Sequence, residues 1–138
     1  MPYVVKAAVV DPDAKRFSFR AQKTMYRGKD VCVKDEIFIF SSENEGGQGL
    51  IARGVVTSVA RPRIRRGDSR IRQTPRVTLT VRRTSQAKHS LGRRELRAFR
   101  HWDDGRPETE LCFKLYRQAT NKVVGISEEA ASFLRTLF

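Results

Sequence analysis

The apolar residues of this chain come in short runs, each closed by a turn signal, and that spacing restricts the chain to a fold made mainly of short strands. Tyr3–Val10 is rich in β-branched residues and stops at Asp11-Pro12-Asp13. Val31–Val33 and Glu36–Phe40 flank Lys34-Asp35 and continue as one buried strand through Ile37-Phe38-Ile39-Phe40. Ser41–Gly49 carries three glycines and no large apolar group, so it is a loop. Leu50–Ala60 is a second long strand, in which Gly54 marks a bulge or a close backbone approach. Pro75–Arg83 alternates, with Val77, Leu79 and Val81 on one face and Thr78, Thr80 and Arg82 on the other. Leu111–Tyr116 alternates as well and reads as a strand, and Val123–Ile126 is a shorter one. Phe17–Tyr26 reads two ways, as an alternating strand or as a short helix ending near Gly28. Ser90–Trp102 reads as a helix with Leu91, Ala98, Phe99 and Trp102 on one side. Ser127 is an N-cap with Glu128 and Glu129 behind it, and the helix it opens buries Ala130, Phe133, Leu134 and Leu137. Neither a repeat nor a dividing linker interrupts the 138 residues. The expectation is one domain, 1–138, of the α+β class: a small, strongly bent sheet or barrel of about six strands with short flanking helices.

Charge narrows the choice of partner. The formal net charge is +13, and it is unevenly placed. Residues 53–106 hold 16 basic and 4 acidic side chains, net +12, whereas the flanking stretches are nearly neutral. Self-repulsion on that scale opposes compactness, so a concentrated excess points to a polyanionic partner. All but one of those 16 cations are arginine, Lys88 being the exception. Arginine presents a planar fork that grips phosphate and stacks on bases. Two basic features stand out. Arg61, Arg63, Arg65, Arg66, Arg70 and Arg72 lie nearly symmetrically about Gly67-Asp68, which suggests an Arg-rich hairpin arm or loop at 61–75, either ordered or mobile until a partner binds. Arg93, Arg97 and Arg100, with Arg94 beside them, would line one face of the helix at 90–102.

Other classes find less support. With 39% hydrophobic residues the chain is too apolar to be disordered, and its apolar runs fall far short of the ~20 residues a membrane helix needs, so no membrane partner is expected. Lys6 and Asp11 interrupt the first apolar run, which argues against an export signal and for a cytoplasmic location. Cys32 and Cys112 lack metal-ligand spacing and read as buried small hydrophobes. No phosphate-binding glycine loop of a known type is present, and neither a metal nor another cofactor is expected. Asp103-Asp104, before Gly105 and Pro107, is a turn in its simplest reading, and His89 a surface residue. A binding role is therefore favoured over a catalytic one.

Lys34-Asp35-Glu36, the strand Ile37–Phe40, the polar glycine-rich loop and Leu50-Ile51-Ala52-Arg53-Gly54-Val55-Val56 together resemble the PUA-like group, which includes the EVE, ASCH and YTH domains. Lys122-Val123-Val124-Gly125-Ile126-Ser127, before a short helix, is similar to the ends of EVE-type domains. The resemblance covers about residues 1–60 and 110–138, and Lys34-Asp35 stands where Gly-Asp is usual. It implies a small bent barrel with a groove for RNA or DNA and a pocket for a modified or extruded base, with Phe40, Ser41 and Ser42 at that pocket. Trp102, the only tryptophan, is either a stacking wall for that base or a core anchor.

The sequence thus points to a nucleic-acid-binding domain, RNA ahead of DNA, in which arginine–phosphate contacts give affinity and a pocket gives specificity. The alternatives are a small nuclease of ASCH-like type, built on Asp103, Asp104 or His89, and a protein-interaction module. Replacing Arg63, Arg65, Arg70 and Arg72 with Ala is expected to leave the melting temperature unchanged. Binding should weaken alike for all sequences, with the salt slope smaller by about one for each phosphate no longer neutralised. A collapse in melting temperature would make the segment structural instead.

Overall fold

Along the first strand, β1 (Tyr3–Ala7), every residue is buried, because the strand lies between two apolar layers. Tyr3, Val5 and Ala7 face one layer and Val4 the other. The same holds for β3 (Glu36–Ser41): Ile37 and Ile39 face inward, and Phe38 and Phe40 outward. A strand covered on both sides needs no polar alternation, which is why Ile37–Phe40 is an unbroken apolar run.

The computed structural model describes residues 1–61, 76–101 and 104–138. The remaining strands are β2 (Arg16–Met25), β4 (Gly49–Ala60), β5 (Arg76–Gln86) and β6 (Lys122–Gly125). The six close into a barrel in the order β1-β3-β4-β5-β2-β6, which leaves no free edge. β1 runs parallel to β3, and β2 parallel to β6; the other neighbours are antiparallel. Alternate residues of every strand fill the interior, among them Val5, Phe19, Ile39, Val56, Leu79 and Val123. Outside the barrel, α1 (Arg93–Leu96), α2 (Pro107–Tyr116) and α3 (Glu128–Arg135) cover the β1, β3 and β6 face. Leu96, Leu111, Leu115, Ala130 and Leu134 pack there on Val4, Phe38, Phe40 and Val124.

Gly54 is a close approach, as its place in the strand suggested. A Cβ there would lie 2.5 Å from the Arg82 carbonyl oxygen, and the β4–β5 register shifts between Arg53 and Gly54. The Phe17–Tyr26 stretch is the strand of its two readings. Its register shifts between Phe19 and Gln22, where Ala21 takes a φ of 49° and donates its N–H to Thr78 Oγ1. Ser127 caps α3, its hydroxyl accepting from the Ala130 N–H.

Three expectations are corrected. Leu111–Tyr116 belongs to helix α2, not to a strand. Pro107 opens that helix at a position where its missing N–H costs nothing, Glu108 and Glu110 suit its N-terminal dipole, and Leu111 and Leu115 are buried four apart. The helix expected over 90–102 shrinks to Arg93–Leu96, because Leu96 is its one buried side chain and no apolar stripe continues it. Residues 31–35 turn rather than extend: the Cys32 N–H bonds the Asp35 carboxylate, and Cys32 and Val33 are exposed, so Cys32 is no core residue.

Glu36 ties three elements together. Its carboxylate meets Arg53 of β4 at 2.6 Å and takes a two-pronged grip from Arg135 of α3, at 2.6 and 3.0 Å. Burial pushes the Glu36 carboxyl up, but the hydrogen bonds and charges of Arg135 and Arg53 outweigh it and hold the group below its ordinary range. The folded state therefore gains from this group above the ordinary carboxylate range and loses the gain as pH falls toward the folded value. Glu36→Gln should cost about 1–3 kcal/mol near neutral pH and flatten the acid limb of a stability–pH curve measured by urea unfolding. An unchanged acid limb would show that Glu36 does not couple these elements.

Candidate functional site

Lysines stand at two covered positions. Lys6 follows Val4 and Val5 in β1 and lies on the outer face with Val4; Lys122 does the same in β6 with Val124. Both are almost fully buried and are direct partners across the β1–β6 pair. They reach up to the end of α2 and the segment just after it: Lys6 Nζ donates to the Leu115 carbonyl in the last turn at 2.7 Å, and Lys122 Nζ to the Gln118 carbonyl, two residues past the helix, at 3.2 Å. The last carbonyls of a helix have no partner within it, and a cation there also suits the helix dipole. Burial lowers the affinity of both amines for protons. Lys6 is held below its ordinary value, with Glu43 opposing and Arg93 reinforcing the shift. Lys122 is pushed down to about 8 by burial and then by Lys6 and Lys23.

Tyr116 closes this arrangement. Its ring lies 4.9 Å from Lys6 Nζ, and its hydroxyl donates to the Glu43 carboxylate at 3.0 Å. Burial and the neighbouring Glu43 push the phenol well above its ordinary value, so it stays protonated and remains a donor. Glu43 sits in a short 3-10 turn, Glu43–Glu45, that follows β3 directly. The same carboxylate accepts the Arg93 N–H at 2.6 Å, and the Arg93 guanidinium donates to Asn44 Oδ1 at 2.8 Å. Lys6, Ser42, Glu43, Asn44, Arg93 and Tyr116 thereby line a small cleft of about 30 Å³, together with Gln118 and Ala119. A second, wider cleft adjoins it at Ala119 and runs over Thr120 and Asn121 to Lys23 and Arg76.

The residues singled out from sequence fall in different places. Ser42 and Arg93 meet at the first cleft. Ser41 is buried at the end of β3, paired with Ala7 and Gly49. Phe40 is fully enclosed in the outer core, behind the cleft. Arg94, Arg97 and Arg100 are exposed, the Arg97 N–H bonding the Arg93 carbonyl one turn back and Arg100 Nε donating to the Arg97 carbonyl past the end of α1. Arg61 donates to the Lys29 and Val31 carbonyls. Arg63, Arg65, Arg66, Arg70, Arg72 and Trp102 lie outside the described residues, as does Asp103. Asp104 spends both carboxylate oxygens on the start of α2, accepting from the Arg106 N–H and the Thr109 hydroxyl. His89 is exposed, its backbone N–H bonded to the Leu137 carbonyl. Among the described residues no group of three or more His, Cys, Asp or Glu could hold a metal ion, and no helix is long and apolar enough to cross a membrane.

Lys6, Glu43, Tyr116 and Lys122 were missed from sequence. For the lysines a signal existed: each interrupts an apolar pattern at a position that strand alternation assigns to a covered face. Glu43 and Tyr116 gave no signal, being 73 residues apart in the chain.

No family model matches the sequence, and no curated protein sequence matches it. Solved structures do. The DUF55 domain of human thymocyte nuclear protein 1 superposes with a TM-score of 0.62 at 11% identity, over 99% of this chain and 98% of that one. The same human protein in complex with DNA containing 5-methylcytosine gives a TM-score of 0.64 at 11% identity, over 99% and 96%. A Pseudomonas putida protein gives 0.61 at 13% identity, over 99% of each chain. Six strands closed into a mixed barrel, with three short helices on one face, match these domains almost end to end, and the chain has their PUA-like fold.

Proposed function

We propose that this domain binds nucleic acid and takes an extruded base against the cleft between Ser42, Glu43, Arg93 and Tyr116. The observation that carries the reading is the network around Glu43. Tyr116 and the Arg93 backbone fix the carboxylate, while the Arg93 fork and Asn44 lie beside it, so an acceptor and several donors converge at one mouth. A base lifted out of its stack presents donors and acceptors on its edge and has to be met by such a set. The reading gains support from the human protein of the same fold, which is seen bound to DNA containing 5-methylcytosine. The net charge of +13 supports a polyanionic partner. The proposal includes RNA, the partner expected from sequence, alongside DNA, and extends to a modified base as the preferred one.

Fluorescence anisotropy with matched RNA and DNA oligonucleotides, unmodified and carrying 5-methylcytosine, tests this across a salt series. Log affinity should fall linearly with log salt, by ~0.7–0.9 per phosphate neutralised. Glu43→Gln should weaken the preferred oligonucleotide by about tenfold, roughly 1.4 kcal/mol, and a random one little. Absence of binding at low salt, or affinity independent of salt, would refute the proposal.

A further inference from the structure

Four cations stand side by side across four neighbouring strands. Lys6 of β1 pairs with Lys122 of β6, Lys122 with Lys23 of β2, and Lys23 with Arg76 of β5. All four project from the outside of the barrel. Val5, Val123 and Val77, one residue away in their strands, fill the interior, and Met25, two residues from Lys23, packs on the outer core. Like charges directly opposite one another on a sheet are destabilising. For Lys6 and Lys122 this is offset by backbone acceptors, the Leu115 carbonyl at the end of α2 and the Gln118 carbonyl just beyond it. For the outer two it is not. Arg76 gives one N–H to the Ala21 carbonyl, and among the described residues no carboxylate forms an ion pair with Lys23 or Arg76.

The row also has a direction. Lys6 and Lys122 are almost fully buried, Lys23 is half-buried and Arg76 is exposed. It begins at the first cleft, which Lys6 lines, and ends at the second, which Lys23 and Arg76 line together with Asn121 and one acid, Glu45. Adjacent strands are ~4.8 Å apart, so the outer pair lies about 10–14 Å from Lys6. The two clefts meet at Ala119.

We propose that the Lys23–Arg76 cleft is a phosphate site, which holds the backbone of the same polynucleotide next to the nucleotide whose base lies against the first cleft. The inference rests on the base-binding reading for the direction of the strand and stands on the cation row for the phosphate. Glu45, the one acid in the lining of this cleft, is engaged by the Asn121 amide, which donates to its carboxylate at 2.9 Å, and two cations stand against it. The division of labour follows from chemistry: phosphates carry no base identity, so this cleft supplies affinity and the first supplies selection.

The test is the double variant Lys23→Gln/Arg76→Gln, set beside the charge-conserving Lys23→Arg/Arg76→Lys and measured by the same anisotropy series. The Gln pair should bind all oligonucleotides more weakly and reduce the salt slope by about two, one for each cation, with the preference among bases unchanged. The charge-conserving pair should restore the slope. The Gln pair should also melt no lower than wild type, since it removes facing like charges. A full salt slope in the Gln pair overturns the phosphate site and leaves the base cleft standing. A reduced slope with no base preference in the wild type supports the phosphate site and removes the base cleft.

Discussion

The hydrogen bonds from Lys6 to the Leu115 carbonyl in the last turn of α2, and from Lys122 to the Gln118 carbonyl just beyond it, hold the helical layer on the barrel, and the candidate site is built on them. A buried ammonium loses its hydration, and a hydrogen bond made by a charged donor returns about 1.5–3 kcal/mol. The Leu115 acceptor is a carbonyl at the end of the helix, so the requirements of helix and lysine are met together there. The consequence is positional. With Leu115 held over Lys6, Tyr116 lies with its ring against the amine and its hydroxyl on Glu43. Glu43 in turn holds the start of α1 through the Arg93 N–H. β1, β3, α1 and α2 converge on one mouth through a chain of polar contacts, each of which needs the one before it.

The barrel was legible in the sequence because its pattern is local. Val77, Leu79 and Val81 alternate as a strand with one face inward, and Ile37–Phe40 runs unbroken because its strand is covered on both sides. Segment 107–116 misled because Leu111, Phe113 and Leu115 satisfy a period of two while Leu111 and Leu115 also satisfy the helical spacing of four. Pro107 and the two glutamates after it were the deciding signals. At 90–102, Leu91, Ala98, Phe99 and Trp102 suggested one apolar side of a long helix, but in α1 the buried side chain is Leu96 and the helix ends there. The site was less legible than the fold. Ser42 and Arg93 were marked by position and charge, whereas the residues joining them come from distant segments, as the 109-residue separation of Lys6 and Leu115 shows.

The distribution of positive charge can be read in two layers. Lys6 and Lys122 are structural cations, committed to α2, and their lowered proton affinity records what burial costs them. Lys23, Arg76, Arg94 and Arg97 lie further out and face solvent to different degrees. On the proposed reading, the outer layer is the one among the described residues that exchanges counterions for phosphates, while the geometry of the cleft belongs to the inner layer. Glu43 marks the boundary, its carboxylate set amid Lys6, Arg93 and the Tyr116 hydroxyl.

If the Glu43 cleft and the Lys23–Arg76 cleft form one continuous nucleic-acid interface, a single short oligonucleotide must engage both. In a ¹H–¹⁵N NMR titration at moderate salt, the backbone amides of Ser42–Glu45, Arg93, Ala119–Lys122 and Lys23 should then shift together and saturate at one concentration. Shifts confined to α3, around Glu128–Arg135, with those amides unmoved, would contradict it.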